Sequence, residues 1–207
     1  PLGFTAAAHL MKLVLATSNK GKLAEIAPIL QAFGFDALPQ NQFGFMDAEE
    51  TGLTFVENAL IKARHACRQT GLPALADDSG IIIDALNGAP GLISAHYAGK
   101  HGDSAGNIAK VLAEMAALTE PVRTARFYCC MVLLKHADDP QPIIAEGIWH
   151  GEILKAPSGT EGFGYDPIFW VPALQMSAAQ MPAELKNSIS HRGQALQQLK
   201  QKLQAHA

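Results

Sequence analysis

The run at 124–135, TARFYCCMVLLK, constrains the fold more than any other part of the chain. Its aromatic and aliphatic content is rich enough for a long buried strand, and the other segments must be arranged around it. Residues 142–154 are expected to return beside it, with bends at Gly147 and Gly151. Near the start, the apolar run 12–16 (KLVLA) gives way to the polar stretch 17–22 (TSNKGK). A helical pattern follows, with Leu23, Ile26, Ala27 and Leu30 on one face. Pro28 should kink or shorten that helix, and Gly34 suits the position just past its end. Thr54 with Glu57 forms a capping box for a helix running to Gly71. Residues 75–85 read as two strand segments joined at an acidic turn, 77–80. Asp103 or Ser104 caps a helix through Leu118, and Ser190 caps a final helix at about 191–205. Between these, 158–166 is a glycine-rich loop and 168–171 a strand. Strands and helices alternate without a strict βαβ repeat, which predicts an α/β fold with a mixed sheet and flanking helices.

Bulk properties exclude several classes of function. With 207 residues, the chain can bury most of its surface as one large domain, or one domain with two lobes. A formal charge of -3 gives no field that would draw nucleic acid or anionic lipid, so a polyanionic partner must be small and locally gripped. No apolar run approaches a membrane span, and the first residues lack a secretory pattern, which makes the cytoplasm the expected compartment. Cys67, Cys129 and Cys130 do not make an even framework and are read as reduced core thiols; neighbours in one strand point to opposite faces. Met11 looks like a natural start, so residues 1–10 are expected to be an expression remnant or disordered, and 11–207 a single domain.

Four groups of residues can carry chemistry. Thr17, Ser18, Asn19, Lys20, Gly21 and Lys22 lie where a strand gives way to a helix, and free N–H groups there, with two lysines beside them, suit a phosphate. The spacing is not that of a Walker loop, and the bland alternative is a polar cap with solvated lysines. Glu49 and Glu50 form one acidic pair, Asp77 and Asp78 another. Carboxylates repel phosphate, so two such pairs near a lysine-rich loop make sense only with a divalent cation between them. Mg²⁺, which takes one or two carboxylates plus phosphate oxygens, is the natural choice. The motif GFGYDP puts Phe163, Gly164, Tyr165 and Asp166 on a loop where either aromatic can stack on a base or simply plug the core. Lys186, with His191 and Arg192 at the start of the last helix, can hold phosphate or base oxygens.

Taken in order, TSNKGK, AEETG with TFVENALIKA, LADDSG, GAPG followed by SAHYAG, GFGYDPIF and SHRGQAL resemble the inosine triphosphate (non-standard purine triphosphate) pyrophosphatases. The resemblance covers the chain from Met11 onward. It implies an elongated mixed sheet with two lobes around a nucleotide cleft, usually as a homodimer, and hydrolysis of ITP, dITP or XTP to the monophosphate and pyrophosphate. It further implies that residues 17–22 and Lys62 bind the triphosphate, Asp78 is general base and metal ligand, and Glu49 is a metal ligand, with Glu50 the alternative. Ser79 would contact substrate, while 163–166, Lys186, His191 and Arg192 would form the base and sugar side. Where that family commonly has SAR-Y, this chain has Ser94, Ala95, His96 and Tyr97, so a constant charge is replaced by one that depends on pH. Two other readings compete: a pyrophosphatase for modified pyrimidine or methylated triphosphates, and a sensor that binds a triphosphate without cleaving it.

Overall fold

The computed structural model describes residues 10–205. The expectation for 1–10 therefore falls, apart from Leu10, outside the described residues. Seven strands form one mixed sheet in the order β2-β1-β3-β4-β5-β6-β7. They are β1 (Met11–Leu15), β2 (Phe35–Pro39), β3 (Ala74–Ile83), β4 (Thr124–Leu134), β5 (Ile143–Ile153), β6 (Phe169–Val171) and β7 (Met176–Ser177). The β1–β2 and β1–β3 pairs are parallel and the rest antiparallel, so the mixed α/β fold is as expected. Helices α1 (Lys20–Ala32), α2 (Phe55–Thr70), α3 (Ser104–Ala116), α4 (Ala183–Ile189) and α5 (His191–Ala205) flank it.

The predicted buried strand is β4, which lies between β3 and β5. Side-chain alternation along these strands divides the core. Leu75, Cys129 and Met131 pack with Ile26 and Leu30 of α1 and with Ala195, Leu196 and Leu199 of α5. Ala74, Ala76, Cys130 and Val132 pack on the opposite face against Ala59, Ala63 and Ala66 of α2. The adjacent cysteines thus point to opposite sides, and all three thiols are free and buried. A third cluster, around Ile81, Phe127, Trp149 and Phe169, fills the far end of the sheet.

Three local expectations need correction. The acidic residues at 77–80 are not a turn, because β3 runs unbroken through them, paired with β4 from Ala74↔Leu134 to Ile83↔Ala125. A full-length antiparallel partner satisfies their backbone groups, so polar side chains do not end the strand. Second, Pro28 does not shorten α1, which continues to Ala32; Gly34, at φ +87°, stands just past its end as expected. Third, β5 returns beside β4 as expected but runs unbroken through Gly147 and Gly151, where bends were expected. Gly147 is there because a Cβ at that position would lie 1.9 Å from the carbonyl oxygen of His191, and one at Gly151 2.5 Å from that of Trp170. These glycines let the backbones of α5 and β6 lie against β5. Gly147→Ala is therefore expected to push α5 off the sheet, costing about 1–3 kcal/mol or more, with a melting temperature lower by roughly 2–12 °C. A melting temperature within about 1 °C of wild type would show that this close approach does not exist.

Candidate nucleotide-binding and hydrolytic site

Because β1 pairs with β3 only at Val14↔Ala74 and Leu15↔Leu75, β3 extends beyond the end of β1. The segment that leaves β1 to start α1 therefore runs alongside the acidic part of β3. Asn19 caps α1: its Oδ1 accepts the N–H groups of Gly21 at 2.9 Å and Lys22 at 3.2 Å. Thr17 Oγ1 accepts the N–H of Asn19 at 3.1 Å, and Ser18 Oγ donates to Asp47 at 2.8 Å. The expectation of free helix-start amides is thus modified, since two of them already have a partner within the cap. Thr17, Ser18, Asn19 and Lys22 line a cavity of about 560 Å³. Lys20 is exposed, and neither it nor Gly21 is in that wall.

Strand alternation sends Asp77 and Asp78 to opposite faces. Asp77 points to the α1/α5 side, where Lys22 Nζ lies at 2.9 Å and an Arg192 guanidinium nitrogen at 3.7 Å, and Ser79 Oγ donates to it at 3.3 Å. Burial alone would raise the Asp77 carboxyl, but Lys22, Arg192 and Lys62 outweigh it and hold the group well below the usual carboxylate range. Asp78 points to the α2 side, 3.2 Å from Lys62 Nζ, which also lies 3.2 Å from Glu50. There burial dominates: despite Lys62 and Lys22, the Asp78 carboxyl is pushed up, with Glu50 and Asp77 adding to the rise. One residue step along a strand separates an acid whose charged form is favoured by its cations from one whose charged form is disfavoured by burial.

The fit to a divalent cation rests on the donor set. Asp78 Oδ2 is buried with no hydrogen-bond partner among the described residues, as is Asp77 Oδ1, and a buried carboxylate oxygen without a partner is costly. Among the described residues no group of three or more His, Cys, Asp or Glu side chains forms a cage. One or two carboxylates plus substrate oxygens is the set that suits Mg²⁺. Both glutamates are exposed, but Glu50 is in the cavity wall and ion-paired with Lys62, whereas Glu49 is not part of that wall.

A second, smaller cavity of about 130 Å³ opens beside the first and shares Asn19, Lys22, Ser79, Ala95 and His101 with it. Phe163 is partly exposed at its edge, its ring 4.8 Å from Lys186 Nζ and 5.7 Å from the Arg192 guanidinium carbon. Gly164 turns the loop at φ +63°. Tyr165 is buried and donates its hydroxyl to the Ser94 carbonyl at 2.8 Å. Of the two aromatics, then, Phe163 presents the more open ring, while Tyr165 ties the loop to the 91–96 segment. Lys186 Nζ lies 2.6 Å from Asp166 and 3.3 Å from Glu25. Arg192 pairs closely with Glu25 and donates to Ser79 Oγ at 3.1 Å. His191 is stacked on Phe127 at 4.8 Å; burial, then Arg192 and Lys186, push its pKa well down.

A family model for the Ham1 family matches residues 13–202. This chain belongs to the Ham1 family. It is 58% identical to the dITP/XTP pyrophosphatase of Xylella fastidiosa over 91% of this chain and 95% of that protein. It is 54% identical to the dITP/XTP pyrophosphatase of Vibrio cholerae, over 91% and 94% respectively. A solved HAM1 protein from Coxiella burnetii superposes with a TM-score of 0.88 at 52% identity, covering 94% of this chain and 99% of that one. The resemblance read from the ordered motifs is borne out.

Several residues of this Ham1 protein's cleft are not singled out by the motifs. Glu25 lies one turn from Lys22 on α1, a spacing that puts the two on one face; its role appears only when α4 and α5 bring Lys186 and Arg192 to it. Asn107 is buried and donates to the Ser94 and Ala95 carbonyls at 3.3 Å, while its Oδ1 accepts the Ala98 N–H at 2.7 Å. It fixes the wall of the smaller cavity. Asp47 joins the 44–54 segment to Ser18, and also accepts a short hydrogen bond from Gln40. No local pattern marks these three.

Proposed function

We propose that this Ham1 family protein hydrolyses non-standard purine nucleoside triphosphates (ITP, dITP and XTP) to the monophosphate and pyrophosphate. The observation that carries the reading is Asp78: a buried carboxylate of raised pKa, with one oxygen on Lys62 and the other without a partner, in a polar cavity continuous with a smaller, aromatic-edged one. The names of the relatives point to the same substrate class.

In this reading the triphosphate lies in the larger cavity among Thr17, Ser18, Asn19, Lys22 and Lys62, and the base enters the smaller one against Phe163. Mg²⁺, held by Asp78 together with Glu50 or Glu49, would supply charge neutralisation along the phosphates. Asp78 takes the proton of the attacking water, Lys22 and Lys62 offset charge on the phosphates, and pyrophosphate leaves as one piece. Asp77, Glu25 and Asp166 hold Lys22, Arg192 and Lys186 in place. Lys186 has three donors and Arg192 five, so each keeps donors beyond those its acid partners accept. The acids hold these two cations in place, so the donors left over are fixed on the base side. The domain is taken as two-lobed over 11–207, acting as a cytoplasmic homodimer; the three buried free thiols are compatible with a reducing compartment.

Hypoxanthine and xanthine present an acceptor oxygen at C6, whereas adenine presents an amino group, which would oppose donor to donor. Each buried unpaired group costs about 1–3 kcal/mol, so ATP should lose orders of magnitude in kcat/KM relative to ITP. Pyrophosphate release from ITP, dITP, XTP, GTP, ATP and dUTP, with Mg²⁺ and with chelator, tests this. ATP within roughly tenfold of ITP would overturn the donor-lined base site; preference for dUTP would favour a pyrimidine substrate; binding without pyrophosphate release would make the protein a sensor.

A further inference from the structure

His96 and His101 stand in the wall of the larger cavity, their rings stacked with centroids 6.4 Å apart and planes within 21° of parallel. Their position follows from the segment Gly91–His96, whose Ser94 is locked to β3 by accepting the Ile81 N–H at 3.0 Å and donating to the Gly91 carbonyl at 2.6 Å. The Gly102 N–H donates to the Ala95 carbonyl at 2.8 Å, which closes the chain into a tight loop and brings His101 beside His96.

Apart from the proposed cation, the side-chain charge of this cavity is nearly balanced. Its lining carries two lysines, Lys22 and Lys62, against three carboxylates, Asp47, Glu50 and Asp78. Both lysines already face acids: Lys22 on Asp77, and Lys62 on Asp78 and Glu50. A polyphosphate entering here therefore meets no excess of fixed positive charge. The remaining cationic capacity in the lining is imidazole, from His65, His96 and His101. His65 Nε2 is engaged at 2.8 Å with the Met46 carbonyl. Around the pair, Lys100 and Asp103 flank it in the chain, and Lys110 and Glu114 on the adjoining α3 are taken up by Tyr97, by its carbonyl and ring and by its hydroxyl respectively.

We infer that His96 and His101 form a proton-dependent contact for the polyphosphate of the substrate, so that triphosphate affinity is set by pH as well as by fixed charge. The inference rests on the polyphosphate occupying the cavity proposed above. Imidazole is the side chain whose ordinary charge change falls between about pH 5 and 8. Bound phosphate favours the protonated form, so affinity is highest in the acid range and falls as pH rises through neutrality.

The test uses inorganic tripolyphosphate as the probe, with binding measured by calorimetry at about pH 6 and about pH 8, so that no hydrolysis is required. Comparison is made between wild type, the double variant His96→Ala/His101→Ala, and His96→Arg. The probe's own titration is common to all three and cancels. Wild type should lose about tenfold more affinity between the two pH values than the double variant does. His96→Arg should bind at the higher pH about as tightly as wild type does at the lower. Identical pH dependence in wild type and double variant would overturn the inference, as would no gain at the higher pH from His96→Arg. Both side chains are exposed or at the cavity surface, and unchanged melting temperatures would confirm that the fold is intact. Absence of pyrophosphate release from every nucleotide would overturn the proposed function, with the tripolyphosphate result read independently.

Discussion

Asp78→Asn is expected to lower turnover on ITP by about 10²- to 10⁴-fold, the usual cost of losing a general base. The substitution keeps the shape of the side chain but cannot accept the water proton, and it removes a negative charge from the proposed metal site. The fold should survive, because burial already disfavours the charged form of Asp78 and Lys62 retains Glu50 as a partner. Steady-state kinetics beside a thermal melt decide the matter: an unchanged melting temperature with more than about a tenth of wild-type turnover would remove Asp78 from the chemistry.

The neighbouring residue is expected to behave in the opposite way. Asp77→Ala should destabilise the protein by about 3–5 kcal/mol, because it leaves Lys22 and Arg192 in a buried site without their shared counter-ion. That corresponds to a fall of roughly 6–20 °C in melting temperature for a domain of this size. The folded-state pKa of Asp77 is depressed, so its contribution is present above the ordinary carboxylate value, about 3.9, and is lost as pH falls through the folded value. The gap between wild type and Asp77→Ala should thus be full at neutral pH and shrink below about pH 4. Equal melting temperatures at neutral pH would show that the two cations do not depend on this acid.

The opposite fates of two adjacent aspartates also mark what was legible in the sequence. The long β4 strand, the capped α2 helix and the strand-to-helix start of α1 follow from local patterns of period, cap and glycine, and these hold in the structure. The acidic stretch reads locally as a turn because consecutive polar residues usually interrupt a strand. Here, β4 pairs with every residue of β3 and supplies what local sequence lacks. The glycines of β5 were read as bends for a similar reason: the backbone that requires their small size belongs to α5 and β6, far along the chain. Of the candidate site, Asp78, Lys22, Lys62 and Arg192 stand out as charged residues in ordered motifs, and Lys186 as a lysine shortly before the last of them. Glu25, Asp47 and Asn107 do not, since each acts only on a partner that folding delivers. Whether Phe163 or Tyr165 faces the cleft also depended on a remote group, the Ser94 carbonyl that claims the tyrosine hydroxyl.

The ion pairs from Glu25 to Lys186 and Arg192 join residues 161 and 167 positions apart. They tie α1 to α4 and α5, the last two helices among the described residues. A nascent chain emerges from the ribosome at about 5–20 residues per second, and its sheet can begin to assemble well before α5 exists. Until α5 packs on β5, however, Glu25 has no Arg192 and Asp77 has only one of its two flanking cations. Completion of the proposed cleft thereby waits on α5, and a chain stalled before residue 192 holds the acidic strand and the 17–22 segment without the Arg192 that joins them.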